Sequence, residues 1–427
     1  MLKSLDLFSG IGGITLALQG IAKPIGYCDW APESRQVIER LQARKLLPKA
    51  PVYDDVRTLS GADMLPARPD MIVGGFPCVG FSPVGLRKAF DDAESGLFSE
   101  ILRLADETGR PALFLENVPN VLKLGMTHVL TELVDKRGYE VRWTVVSAHS
   151  LGAPHKRARW FMLAIRPEFN GRLPARTSAR AAAEYRPYAW DATPEPVRAR
   201  VVQFPNDRHR KAMLGNSVVP DAVRSAFLYL ASGGRPVEKL TSSVKIKGAE
   251  TPSSSATSSS SSWRSRVGRA ESWPATGVVH ADGSFSGAIE KAHPLSLSSL
   301  SSSSSSFPKK MELVFHPSHF RTDKPPSKSL KDEHLIEDEH VHADKWSTPR
   351  HGNTEPSNYM TRRSIRDLPT QVRFEKNTPK PLRKGSVTPE FLEYLMGYPI
   401  GWTEFGGVAP KAPTEGLRPW TPQSQRL

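Results

Sequence analysis

Ser4-Leu5-Asp6-Leu7-Phe8-Ser9-Gly10-Ile11-Gly12-Gly13-Ile14 decides the fold. Its first five residues read as a strand, the next five as a glycine turn, and Ile14 opens the apolar-periodic segment Thr15 to Ile21. A strand, a glycine turn and a helix start form the geometry in which backbone N–H groups and a helix N-terminus face a ligand. Alone, the stretch is equally compatible with a plain βα connection. The next strand narrows the choice. Pro24-Ile25-Gly26-Tyr27-Cys28 reads as a second strand ending in Asp29-Trp30. An acid at the end of the second strand is where a ribose diol is gripped, and an aromatic beside it can cover a purine ring. The pair raises the odds for an adenosine-containing cofactor.

Outward from this stretch, strands and helices alternate. Pro32 to Leu47 reads as a helix with Val37, Ile38, Leu41 and Leu46 on its inner face, and Val52 to Val56 as a third strand with acids near its end. Ser95 to Ala105, Val129 to Lys136 and Asp221 to Leu230 read as helices; Pro111 to Leu115, Tyr139 to Ser147 and Trp160 to Ile165 read as strands. This alternation predicts an α/β fold with a largely parallel sheet, whose chemistry sits at the strand ends.

Three stretches at such ends carry reactive groups. After the apolar run Asp70-Met71-Ile72-Val73 comes Gly74-Gly75-Phe76-Pro77-Cys78-Val79-Gly80-Phe81-Ser82. Pro77 fixes the backbone just before the thiol, and Gly74, Gly75 and Gly80 allow close approach to a flat ligand. Cys78 is either a small buried hydrophobe or a nucleophile. Glu116-Asn117-Val118-Pro119-Asn120 comes after another strand; its carboxyl is either a helix-start acid or a reactive group sharing the thiol's crevice. Arg157 and Arg159 alternate, so both guanidiniums fall on one strand face. They make either a solvated basic edge or planar donors for an anionic or carbonyl-rich substrate.

Composition sets the limits. The chain has 427 residues, only 38% of them hydrophobic, with a mean hydropathy of −0.40, so one good domain accompanied by unstructured segments is expected. A net charge of +14 favours a polyanionic partner. Residues 166–211 hold ten Arg or Lys against five Asp or Glu with little periodicity, which reads as a loop-rich basic insertion touching a phosphate backbone. Two cysteines, Cys28 and Cys78, cannot build a disulfide framework or a four-cysteine zinc site, which suits a reducing compartment. No apolar run reaches membrane-spanning length and Asp6 interrupts any signal-like pattern, so a soluble intracellular protein is expected, nuclear in a eukaryote and cytoplasmic otherwise.

After Ser232 the composition shifts to serine runs, Ser258 to Ser262 and Ser301 to Ser306, which cannot bury enough apolar surface to order themselves. The expected organisation is a catalytic domain over 1–232, a disordered Ser-rich and charged linker over 233–345, and a small C-terminal segment over 346–427. Asp332 to Asp344, with His334, His340 and His342, reads as a hydrated run, and no metal site is expected. Thr388 to Pro399 reads as a capped amphipathic helix ended by glycine and proline, which needs a partner surface.

Taken in order, Asp6-Leu7-Phe8-Ser9-Gly10-Ile11-Gly12-Gly13, Gly75-Phe76-Pro77-Cys78, Glu116-Asn117-Val118, Arg157-Ala158-Arg159 and Gly215-Asn216-Ser217-Val218 resemble the motif set of the DNA (cytosine-5)-methyltransferases. The match spans roughly residues 4 to 231. The resemblance implies a Rossmann-like sheet binding S-adenosyl-L-methionine, double-stranded DNA as partner, a monomer, and a place among restriction-modification enzymes. It implies cofactor contacts at Phe8, Gly10, Gly12, Asp29, Trp30, Asp55, Val56, Pro77, Leu97, Asn216 and Ser217. It implies catalysis by Cys78, Glu116, Arg157 and Arg159, and places Ser82 on a loop closing over a flipped base.

This chain departs from the family in two places. His155 stands where the family usually has Gln before its paired arginines. The segment expected just before Gly-Asn-Ser-Val appears instead as Phe391 to Pro399, as in phage-like and viral-like members, which implies a rearranged recognition region. Three other readings remain: cytosine methylation in RNA, a catalytically silent DNA-binding regulator, and a NAD-dependent oxidoreductase. The last is disfavoured because Gly10-Ile11-Gly12-Gly13 lacks the full dinucleotide spacing.

Overall fold

The computed structural model describes residues 1–64, 66–76, 96–169, 173, 184–233, 261–266, 273–287, 346, 349 and 386–406. β1 (Leu2–Leu7) is buried from Ser4 onward, as expected for a central strand covered on both faces. It leads through the glycine turn to α1 (Gly13–Ala17), then β2 (Ala22–Cys28), α2 (Pro32–Ala43), β3 (Val52–Tyr53), β4 (Met71–Gly75) and α3 (Leu97–Glu107). β5 (Ala112–Asn117), α4 (Val121–Leu124), α5 (Met126–Leu130), β6 (Glu140–Ser147) and β7 (Ala158–Ile165) come after these. Next are β8 (Ala199–Arg200), α6 (Asp207–Asn216), α7 (Pro220–Ala231), β9 (Ser261–Ser262), β10 (Gly277–Val279), β11 (Ser284–Gly287), β12 (Ser386–Val387) and α8 (Pro389–Met396).

The main sheet runs β3-β2-β1-β4-β5-β7-β6-β10-β11-β9. β1 is parallel to β2 and β4, and β5 is parallel to β4, whereas β7 lies antiparallel between β5 and β6. Phe114 enters one apolar cluster with α1, α2, α7 and α8, while Leu113 and Leu115 enter another with α3 and α5. The pleat therefore puts a helical layer on each face. Strand order reverses between β1 and β4, the switch point where α/β sheets open a crevice beyond the strand ends.

Four expectations need correcting. The third strand stops at Tyr53, because the Asp54 and Asp55 carboxylates accept the N–H groups of Asp55 and Arg57 and turn the chain. The helix expected over Val129 to Lys136 is divided: α5 ends at Leu130 and a wide π turn spans Thr131–Asp135. The basic stretch 166–211 contains the start of α6, and four of its described cations are engaged internally. Arg200 pairs with Asp207 and Glu390, Arg210 with Glu390 and Glu393, Arg198 with Glu195, and Lys211 Nζ donates to Ser386 Oγ (2.7 Å).

The fourth correction concerns the expected linker. Its described residues 277–279 and 284–287 form a hairpin that extends the sheet from the β6 edge. Trp263, Val279 and Phe285 are buried with Trp143, whose ring lies 6.0 Å from Trp273 and 6.1 Å from Phe285. Trp143 Nε1 donates to Pro274 O (2.9 Å), and a Cβ at Gly277 would sit 2.4 Å from the Trp143 ring. A few aromatics thus suffice to dock a strand pair inside a polar, serine-rich stretch. The described C-terminal segment, 386–406, returns to the body of the protein. β12 pairs with β8, and α8, capped by Thr388 Oγ1 accepting from Phe391 N–H and ended at left-handed Gly397, packs on α6.

Candidate active site

Three residues of the turn after β1 have left-handed backbones: Phe8 (φ 52°), Gly10 (φ 53°) and Gly12 (φ 77°). For Phe8 this is an unusual conformation, and the surrounding hydrogen bonds hold it. Ser9 Oγ donates to Asp6 O (2.6 Å) and accepts from Cys28 N–H (3.0 Å), and Gly12 N–H donates to Ser9 O (2.8 Å). Asp29, at the tip of β2, ties the turn to its neighbour. One of its carboxylate oxygens accepts from Gly10 N–H (2.7 Å) and the other from Ala31 N–H (3.0 Å). Burial raises its pKa, against the opposing pull of those two N–H groups. Trp30 beside it is 70% exposed, with the Arg57 guanidinium 5.2 Å from its ring centre.

The other expected cofactor contacts are more varied. The Asp55 carboxylate is held by Arg57 Nε (3.0 Å), which lowers its pKa. The Val56 side chain is buried in the core under α3, and its carbonyl accepts from Arg103 (3.0 Å). Leu97 opens α3 and is half-buried. Asn216 is the exposed last residue of α6, and Ser217 Oγ closes that helix by donating to Leu214 O (2.9 Å). Pro77, Cys78 and Ser82 lie outside the described residues.

A second group gathers two strands away on the same sheet edge. Leu7 pairs with Gly74, and the next residue of β4, Gly75, pairs with Glu116 at the end of β5. Glu116 Oε1 is 2.9 Å from Arg159 Nε, on the neighbouring β7. Burial raises the Glu116 pKa, and the two arginines only partly counteract it. Arg157 is buried and directed at backbone: it donates to Pro349 O (2.7 Å), Gly215 O (2.9 Å) and Ser217 O. It thereby anchors the loop after α6. His155, also buried, contacts Leu395 O through Nε2 (2.7 Å). β4 ends at Gly75; the carbonyl of the next residue, Phe76, accepts from Asn117 Nδ2 (3.2 Å), and the segment carrying Cys78 follows it.

The structure thus brings Glu116, Arg157 and Arg159 together, and separately joins Phe8, Gly10, Gly12 and Asp29. Cys28, the other thiol, is buried in the core; burial pushes its pKa up to about 12, so it packs as a hydrophobe. Two residues have a part at the site that the sequence reading did not give them. A Cβ at Gly75 would lie 2.8 Å from Glu116 Oε2, so a side chain there must displace that carboxyl. Asp6 is fully buried, with Oδ2 accepting from Thr15 Oγ1 (2.6 Å) and Oδ1 without a hydrogen-bond partner; burial pushes its pKa up to about 7. An acid inside an apolar strand was the available signal for it.

Sheet order, the antiparallel β7 and the glycine turn define a Rossmann-like methyltransferase fold. The profile described as C-5 cytosine-specific DNA methylase matches residues 2–294, and the chain belongs to that family. It is 32% identical over 231 residues to the type II methyltransferase M.CviJI of Paramecium bursaria Chlorella virus IL3A, covering 54% of this chain and 60% of that one. It is 34% identical to M.MspI of Moraxella sp over 38% of each chain, and 34% identical to M.Bsp6I of Bacillus sp. (strain RFL6) over 39% of this chain and 53% of that one. This chain therefore matches less than two thirds of the length of each of these relatives. No helix among the described residues is long and apolar enough to cross a membrane.

Proposed function

We propose that the protein transfers a methyl group from S-adenosylmethionine to carbon 5 of cytosine in DNA, with Cys78 as the covalent nucleophile. The observation that carries this reading is the Glu116–Arg159 pair, a buried carboxyl against a half-buried guanidinium, set beside the strand end that leads into Pro77-Cys78 and on the same sheet edge as the glycine turn. An oxidoreductase has no use for that pair; addition to a pyrimidine does.

The turn fits the cofactor. Gly10 faces open space, with nothing within 4 Å of an added Cβ, and the exposed Trp30 ring lies one residue beyond Asp29. The unpartnered Asp6 oxygen and the Asp29 carboxylate suit a cationic, diol-bearing ligand. Phe8, Gly10 and Gly12 would hold its methionine end, Asp29 and Trp30 its ribose and adenine, with Asp55, Val56, Pro77, Leu97, Asn216 and Ser217 completing the wall. When bound, S-adenosylmethionine supplies an electrophilic methyl group on a sulfonium.

The protein's part is to make carbon 5 nucleophilic. The Cys78 thiolate adds to carbon 6, moving electron density toward N3 and O2. Glu116, whose burial favours the protonated carboxyl, donates its proton to N3. Arg159 holds O2 with the guanidinium N–H groups not directed at Glu116. Arg157 acts at one remove, shaping the loop 215–217 through its carbonyls. After carbon 5 takes the methyl group, water or hydroxide removes its proton, the electrons return to expel Cys78, and Glu116 recovers the N3 proton. Since the ring is unreachable in a duplex, the nucleotide is extruded at a cost of a few kcal/mol, offset by pocket contacts. The unit carrying this combines residues 1–233 with the hairpin at 273–287 and the segment 386–406.

Tritiated methyl transfer to matched DNA and transfer RNA pools tests the substrate, and trapping on 5-fluorocytosine DNA tests the adduct. Label in DNA, with a trapped complex requiring both Cys78 and the cofactor, is the expected result. Label confined to RNA, or trapping retained in Cys78→Ala, refutes the reading.

A further inference from the structure

Two loops of the glycine-turn site are held by one segment that arrives from the far end of the chain. Trp402 Nε1–H donates to Ile11 O (2.8 Å), inside the turn after β1. Tyr398 O–H donates to Val218 O (2.9 Å), in the loop after α6. Both rings are almost completely buried, and their centroids lie 5.8 Å apart, so they act as one block between the loops. Gly13 touches the same block: a Cβ there would fall 2.2 Å from the Tyr398 hydroxyl.

The block is itself fixed. Glu393, with no exposed surface, accepts from Gly401 N–H (2.6 Å), Thr403 N–H (2.8 Å), Thr403 Oγ1 (2.5 Å) and Arg210 (3.1 Å), which sets the turn carrying Trp402. Arg40 on α2 donates to Gly401 O (3.1 Å) and pairs with Glu404 (2.5 Å). Positions 11 and 218 are thus spaced by a rigid aromatic pair whose own place is over-determined. A carbonyl held by an indole N–H or a phenol O–H cannot rotate outward, so the turn around Ile11 and the loop around Val218 keep their shape.

We infer that Tyr398 and Trp402 are positioning residues for the methyl donor, acting through the carbonyls of Val218 and Ile11 to preset the two loops that grip it. This rests on the cofactor reading above. It also gives the displaced segment 386–406 a role in cofactor affinity, beyond any role in target recognition.

Tyr398→Phe removes one donor and keeps the ring, and Trp402→Phe removes the other donor and leaves a smaller aromatic ring. Titration calorimetry on the full chain with S-adenosylmethionine and S-adenosylhomocysteine should show about tenfold weaker binding of both by each variant. The cofactor KM should rise with kcat at saturating cofactor and DNA affinity retained. Cofactor binding equal to wild type overturns the inference, whether or not melting temperature falls, because a purely structural role would move only the latter. Wild-type protein that binds neither ligand overturns the cofactor reading, and this inference with it.

Discussion

Replacing Gly75 by alanine is a single-methyl test of the proposed chemistry. The backbone of Gly75 is not left-handed, so alanine suits it locally, but the new Cβ would lie 2.8 Å from Glu116 Oε2. Ordinary contact begins near 3.4 Å, so the carboxyl must retreat by about 0.6 Å. Arg159, 2.9 Å away on the other oxygen, resists that movement, and the pair must either stretch or move together. Overpacking of this kind costs about 1–3 kcal/mol of stability. Misplacing a reacting group by about 1 Å costs about a hundredfold in rate, so a shift of this size should lower kcat between tenfold and a hundredfold. Methyl transfer and thermal denaturation are measured on the same preparation, with cofactor affinity as a control. Full turnover by a stably folded Gly75→Ala protein would refute the assignment of Glu116 as the group acting on the ring.

Two more experiments bear on the scaffold. Asp6 has its pKa raised from 3.8 to about 7, so the native state retains a proton that the unfolded chain has released; its stabilising share is complete below about pH 4 and is lost as pH rises through 7. Asp6→Asn should flatten the fall in urea midpoint between pH 5 and 8, and an unchanged slope would show that the carboxyl is not perturbed. Deleting residues 273–287 should uncover Trp143 and lower stability by about 3–5 kcal/mol in chemical denaturation, whereas an inert linker would leave the midpoint unchanged.

Where sequence was informative, periodicity and chemistry agreed. β1, its turn and β2 were readable because the apolar runs and glycines act locally, and Glu116 with Arg159 because both fall at strand ends. α6 escaped notice since its inward residues include Asp207, Arg210 and Lys211, whose buried state depends on Glu390, Glu393 and Ser386, distant in the chain. The hairpin 277–287 was hidden by flanking serines, because its order comes from Trp143 on β6 rather than from its own composition. Likewise α8 was visible as an amphipathic helix, but no local pattern could reveal that the residues after it brace the glycine turn.

That bracing has a consequence for biogenesis. Tyr398 meets Val218 across 180 positions and Trp402 meets Ile11 across 391. At usual elongation rates the first gap alone lasts on the order of 10 to 40 s. Throughout that interval a nascent chain has made its sheet strands up to β7 but lacks the aromatic wedge, so translation order itself delays the bracing of the glycine turn until Trp402 has been added.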